Sequence, residues 1–149
     1  VTDIEGNVVS YHEPTEVRQV VSQETSDLVR SFMESVVSGP RGTGKNAYVP
    51  GYRIGGKTGT ADKTETRYTT KEVVVSFMCF APADDPQYIM LLTMDTPSRN
   101  TGTYVSGGNM VAPFGSQIMG EILPDLGIMP GGNGVIAKFQ CAVQKVGEF

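Results

Sequence analysis

The chain runs to 149 residues, 39% of them hydrophobic and 19% charged, which suits one domain with a modest core and excludes a chain disordered by composition. A formal net charge of −4, with the lysines scattered rather than massed, excludes the basic stripe that holds a nucleic-acid partner. The longest apolar run, residues 73–83, is broken by Ser76 and Pro82 and falls well short of the roughly 20 residues that cross a bilayer, so no membrane contact by this segment is expected.

No charged stretch leading into an apolar one opens the chain, so no signal peptide is expected, and a start at Val1-Thr2-Asp3 without methionine reads as a fragment. Residues 2–11 alternate around an Asp3-x-x-Gly6-Asn7 turn and predict a hairpin-like entry. Val17, Val20 and Val21 predict a short extended stretch. Ser22 stands where it can cap a helix, with Glu24 in the first turn. Leu28, Val29, Phe32, Met33, Val36 and Val37 then recur at three- and four-residue spacing and predict one apolar helix face, ended by Gly39-Pro40. Residues 40–51 read as loop, 52–61 as a strand and 62–70 as a polar, threonine-rich loop.

Residues 73–81 are almost continuously apolar and β-rich, as for a strand covered on both faces. Ala83-Asp84-Asp85-Pro86 makes a turn, and 88–94 a returning strand. Met110, Val111, Phe114, Ile118, Met119, Ile122 and Leu123 mark a second amphipathic helix with Pro113 in its first turn. Residues 127–134 read as a linker, after which Val135, Ala137, Phe139, Cys141 and Val143 alternate as for one more strand. The expected unit is α+β: a three-stranded antiparallel sheet with a helix before it and a helix after it.

Chemistry by composition is sparse. Cys79 and Cys141 are too few and too far apart for a disulfide scaffold or a zinc site, and Cys79 reads as a small buried apolar residue. His12, the only histidine, stands between Tyr11 and Glu13 ahead of a proline and reads as a surface or loop residue. No cofactor and no metal is expected. Gly39-Pro40-Arg41-Gly42-Thr43-Gly44-Lys45-Asn46 is one residue from a phosphate-binding P-loop, but Asn46 replaces the hydroxyl that would hold magnesium, and the segment follows an amphipathic helix rather than a buried strand. It is read as structural, with nucleotide binding as a minority alternative.

The informative segment is Gly55-Gly56-Lys57-Thr58-Gly59-Thr60-Ala61. Glycines in a strand often mark close approach of another backbone or a ligand. Thr58 and Thr60, two apart, share one strand face, and Lys57 adds a cation beside them. Hydroxyls and an ammonium on an open strand make a receptor for a carboxylate; the plainer alternative is a glycine-containing hairpin arm with an exposed lysine. Both stay open on this segment alone.

Lys57-Thr58-Gly59-Thr60 resembles the third motif of penicillin-binding proteins and serine β-lactamases. The resemblance extends in family order over residues 3–128. It takes in Thr43-Gly44-Lys45-Asn46-Ala47 and Gly51-Tyr52-Arg53-Ile54 before the motif. After it come Ser76-Phe77, Phe80-Ala81-Pro82-Ala83-Asp84-Asp85-Pro86, Gly107-Gly108 and Ala112-Pro113-Phe114. The chain is most similar to class B penicillin-binding proteins, the sporulation-type division proteins of Gram-positive spore formers in particular. The resemblance implies the C-terminal part of a penicillin-binding protein/serine β-lactamase-like fold over residues 1–128, with a linker and an unassigned tail over 129–149.

It also implies a peptidoglycan D,D-transpeptidase, in which a serine attacks the D-Ala–D-Ala carbonyl of a stem peptide, D-alanine leaves and an amine of a second stem resolves the acyl-enzyme. β-Lactams stall at the acyl stage. By the same resemblance Lys57 supplies positive potential and proton traffic to the leaving group, and the Thr58 and Thr60 hydroxyls receive the substrate carboxylate. The Thr60 N–H is one of two oxyanion donors, and Gly59 lets the substrate pair with the strand edge. The parent protein is expected at the outer face of the cytoplasmic membrane, anchored by an N-terminal helix absent from this chain.

One departure is decisive for the chemistry. The family uses a Ser-x-x-Lys whose serine is the nucleophile. The residues three before each lysine are Gly42, Ile54, Thr60, Tyr68, Val135 and Ala142, and none is serine. Ser98-Arg99-Asn100 mimics the second motif, Ser-x-Asn, but lies on the wrong side of Lys57. The nucleophile is therefore expected upstream of Val1, in a missing N-terminal half, and the isolated chain is expected to be inactive. A non-catalytic binding or structural module of the same fold is the alternative.

Overall fold

In the computed structural model, which describes residues 1, 3–11, 13 and 15–131, the chain opens on a turn held by Asp3. The Asp3 carboxylate accepts from the backbone N–H of Glu5 and Asn7 and from the Asn7 amide, and Val9 N–H returns to the Val1 carbonyl. The hairpin-like entry is thus present, and these donors hold the Asp3 carboxyl below its usual range. Residues 17, 20 and 21 join no sheet and are exposed. His12, Cys141 and the strand expected over 135–143 lie outside the described residues.

Helix α1, Gln23–Ser38, begins where Ser22 accepts from Thr25 N–H at 3.2 Å, and it ends at Gly39. Only Val37 of its expected apolar face is buried; Leu28, Val29 and Phe32 are exposed. The helix joins the rest through its last turns. Gly44 lies against Val36, and Glu34 holds Arg53 through Nε and Nη2, both at 2.8 Å. Arg53 also reaches Asp84 at 2.8 Å, so one guanidinium ties α1, the entry to the sheet and the turn closing it, and both carboxylates raise its pKa.

Three antiparallel strands follow: β1, Gly55–Asp62; β2, Val73–Ala81; and β3, Tyr88–Asp95, in spatial order β1-β2-β3. The register pairs Thr58 with Phe77, Gly59 with Ser76 and Thr60 with Val75. Residues paired across a sheet share a face. One face therefore carries Gly56, Thr58 and Thr60 with Val75, Phe77 and Cys79, while the other carries Lys57 and Gly59 with Ser76 and Met78.

On the first face Val75, Phe77 and Cys79 are fully buried under α2, Ala112–Asp125, which contributes Ala112, Met119 and Leu123. Pro113 sits in the first turn of α2, where its missing N–H costs nothing. The strand expected to be covered on both faces is covered on one. Val74, Ser76 and Met78 are half-buried, and among the described residues Ile89 and Leu91 of β3 remain 72% and 66% exposed. On the second face the burial that the apolar run predicts is reached at Phe80, 7% exposed, because burial is set by what packs opposite and not by the run itself. A π-helical turn, Gly107–Val111, precedes α2 and takes in Met110 and Val111, which residue periodicity assigns to the helix itself.

Candidate active site

The lysine–threonine–glycine segment falls on β1, which among the described residues pairs only with β2. Half of its backbone N–H and C=O groups therefore have no partner in the sheet. Lys57 and Thr60 are exposed, as polar groups on an open strand should be, and Thr58 is half-buried.

The expected grouping of the Lys57 ammonium with the two hydroxyls needs correction. Successive residues of a strand point to opposite faces, so Lys57 leaves β1 on one side while Thr58 and Thr60 leave it on the other. The lysine returns toward the backbone, where Nζ donates to the Thr58 carbonyl at 2.8 Å. Ammonium and hydroxyls therefore approach β1 from two sides. Among the described residues Lys57 has no carboxylate partner.

On the hydroxyl side two segments distant in sequence close in. The Thr58 hydroxyl donates to Thr43 Oγ1 at 3.2 Å, and Gly107 N–H donates to Thr60 Oγ1 at 3.4 Å. Side chains would not fit at the π-helical turn. A Cβ on Gly107 would stand 2.1 Å from the Ser76 carbonyl oxygen, and one on Gly108 would stand 2.2 Å from that of Thr43. The Gly107-Gly108 pair is thus a second close-approach signal beside the glycines of β1, and its partners are the backbones of β2, of β1 at Gly59 and of the 42–46 loop. Between the loop, β1 and the turn opens a cavity of about 370 Å³, bordered by Thr43, Lys45, Thr58, Thr60, Tyr104 and Ser106.

The 39–46 loop spends donors on its own turns, on α1 and on the π-helical turn. Gly44 N–H goes to the Val36 carbonyl, Lys45 N–H to that of Gly42 and Ala47 N–H to that of Gly44, while the Asn46 amide donates to the Gly108 carbonyl at 2.9 Å. A phosphate cradle needs these N–H groups free. The loop follows α1 and leads only into a short 3-10 turn, Lys45–Ala47. Ser98-Arg99-Asn100 caps a turn of its own: Ser98 Oγ accepts from Asn100 N–H, and Arg99 donates to the Lys71 carbonyl. Cys79 is fully buried, and burial pushes its thiol up to about 12, which leaves it protonated and unreactive at neutral pH.

Residues 1–120 match the penicillin binding protein transpeptidase domain, and the chain belongs to that family. It is 44% identical over 133 residues to the stage V sporulation protein D of Bacillus subtilis, covering 89% of this chain and 20% of that protein. It is 40% identical over 114 residues to a probable peptidoglycan D,D-transpeptidase, PenA, of Neisseria gonorrhoeae, covering 76% of this chain and 19% of that one. The chain thus spans about a fifth of the length of these curated relatives.

The α+β architecture is shared with solved transpeptidase domains. The domain of penicillin-binding protein 3 from Burkholderia pseudomallei superposes with a TM-score of 0.67 at 40% identity, over 81% of this chain and 36% of that one. Penicillin-binding protein 3 from Mycobacterium tuberculosis, solved with ampicillin, gives 0.67 at 29% identity, over 89% and 30%.

Proposed function

We propose that this chain is the C-terminal part, residues 1–128, of the transpeptidase domain of a peptidoglycan D,D-transpeptidase, and that it supplies the substrate-receiving strand of the active site. The carrying observation is β1 itself. Lys57 and Thr60 stand exposed on a strand with one edge unpaired among the described residues, and two threonine hydroxyls open on a cavity. The relatives named as D,D-transpeptidases and the neighbour solved with ampicillin support the same reading.

In this mechanism a stem peptide lies along the open edge of β1 as an added strand, where Gly59 puts no side chain in its way. The Thr58 and Thr60 hydroxyls donate to its terminal carboxylate. The nucleophilic serine and its activating lysine come from sequence N-terminal to Val1. As the serine oxygen bonds to the carbonyl carbon, the Thr60 N–H helps hold the oxyanion. Lys57 stabilises the charge and directs a proton to the departing D-alanine. An amine of a second stem then displaces the serine. A β-lactam forms the same ester without being resolved.

No helix among the described residues is long and apolar enough to cross a membrane, and the reading places the membrane anchor N-terminal to this chain and the catalytic domain outside the cell. The test is Lys57→Ala in the full-length protein. Because Lys57 acts on charge that develops in the transition state, the limiting rate of acylation by penicillin should fall about 100-fold or more while thermal unfolding is unchanged. Unaltered acylation would remove the reading.

A further inference from the structure

The two threonines of β1 are held differently, and the difference singles out a residue outside the motif. Thr60 Oγ1 accepts from Gly107 N–H, which occupies a lone pair and leaves the hydroxyl proton to be donated outward. Among the described residues Thr58 has no backbone donor of this kind. Its methyl faces Gly108, where a Cβ would stand 3.6 Å from Thr58 Cγ2, and its hydroxyl meets Thr43 Oγ1 at 3.2 Å. Methyl and hydroxyl contacts together select one χ1 rotamer for Thr58.

Thr43 is itself fixed from both sides of its loop. Gly44 N–H is bonded to the Val36 carbonyl, and the close approach of Gly108 to the Thr43 carbonyl admits no side chain there. The Asn46 amide, donating to the Gly108 carbonyl, locks loop and turn together.

We infer that Thr43 is a positioning residue for the carboxylate-receiving hydroxyl of Thr58. The inference rests on the proposed role of β1 as a carboxylate receptor. In the structure the Thr58 O–H donates to Thr43. A substrate carboxylate accepts the Thr58 O–H hydrogen bond in place of Thr43, and the pair then reverses: Thr43 O–H donates to Thr58 Oγ1, and Thr58 O–H donates to the carboxylate. A hydroxyl that accepts while it donates is the better donor. Thr43 thus adds affinity for the carboxylate without touching the substrate or the scissile carbonyl.

The experiment compares Thr43→Val and Thr43→Ser in the full-length protein, with penicillin and penicillin methyl ester as probes. Thr43→Val should raise the penicillin concentration for half-maximal acylation about five-fold and leave the limiting rate unchanged, since one hydrogen bond is lost equally from bound and transition states. Thr43→Ser should restore the original value. With the methyl ester, wild type and Thr43→Val should be indistinguishable. Equal losses with acid and ester, no loss with either, or failure of serine to rescue would each overturn the inference. If Thr43→Val does not fold, Thr43→Ala carries the same comparison. A normal loss in Lys57→Ala beside an unaffected Thr43→Val sinks this inference alone, whereas an unaffected Lys57→Ala sinks the underlying function as well.

Discussion

The two faces of the sheet differ sharply. Under α2, Val75, Phe77 and Cys79 meet Ala112, Met119 and Leu123 with no solvent contact. On the opposite face Met78 is half-buried, and Ile89 and Leu91 stand in solvent, as Phe32 does on α1. Apolar groups left in water contribute nothing to folding, and a contiguous group of them marks a surface made for a partner. The difference teaches where the functional strand belongs. The buried face anchors β1 through Phe77, whose ring would meet a Cβ on Gly56 at 2.7 Å, while Lys57 projects from the face that is unfinished. In the proposed full-length enzyme that face is covered by the upstream part of the domain, which also brings the nucleophile.

The contrast breaks most readily at Phe77. Phe77→Ala empties the centre of the finished face and should cost about 3–5 kcal/mol, measured by denaturant unfolding of the full-length protein. Loss below about 1 kcal/mol would mean that α2 does not depend on this packing. Leu91→Asp sharpens the comparison. At a solvated site it should change stability by less than about 0.5 kcal/mol, but in the full-length protein a covered Leu91 should lose about 2 kcal/mol or more. Equal small effects in chain and full-length protein would show that the second face stays open.

The smallest effect is expected at Asp95. Its hydrogen bond from Lys63 holds its carboxyl below the ordinary aspartate value of 3.8, with Thr96 assisting. A folded pKa below the unfolded one gives stability that is present above 3.8 and lost as pH falls through the folded value. Asp95→Asn should therefore flatten the acid side of the stability–pH profile slightly. Because Asp95 is exposed and Lys63 only half-buried, salt should screen the difference. An unchanged acid limb would show that the pair is not populated in solution.

Much of this arrangement was legible in the residues. The apolar run gave β2 the same bounds it has in the structure, and Ser22 and Gly39 marked both ends of α1, because strand runs and helix caps are local signals. The apolar face of α1 was legible too, but burial depends on what lies opposite, and nothing local tells that Phe32 would stay in solvent. Exposure of Lys57 followed from its neighbours. Its separation from the threonine hydroxyls was available from strand alternation, yet grouping by charge masked it.

Other features had no local signal. Thr43 and Thr58 are 15 residues apart, and Asn46 and Gly108 are 62 apart; only the fold brings each pair together. The π-helical turn was hinted at by Gly107-Gly108, but helical periodicity does not distinguish its start from that of α2. The ties of Arg53 to Glu34 and Asp84 likewise join segments that no spacing rule connects.

The central claim is that β1 receives the substrate for a serine that lies elsewhere in the protein, and mapping the site of covalent capture tests it most directly. Full-length protein is labelled with a fluorescent penicillin, digested, and the adduct located by mass spectrometry, beside this chain labelled alone. The adduct should sit on one serine N-terminal to Val1, and the chain alone should keep its unmodified mass, since none of its six lysines is preceded three residues earlier by serine. A stoichiometric adduct on any serine within residues 1–149, or no adduct on the full-length protein, would contradict it.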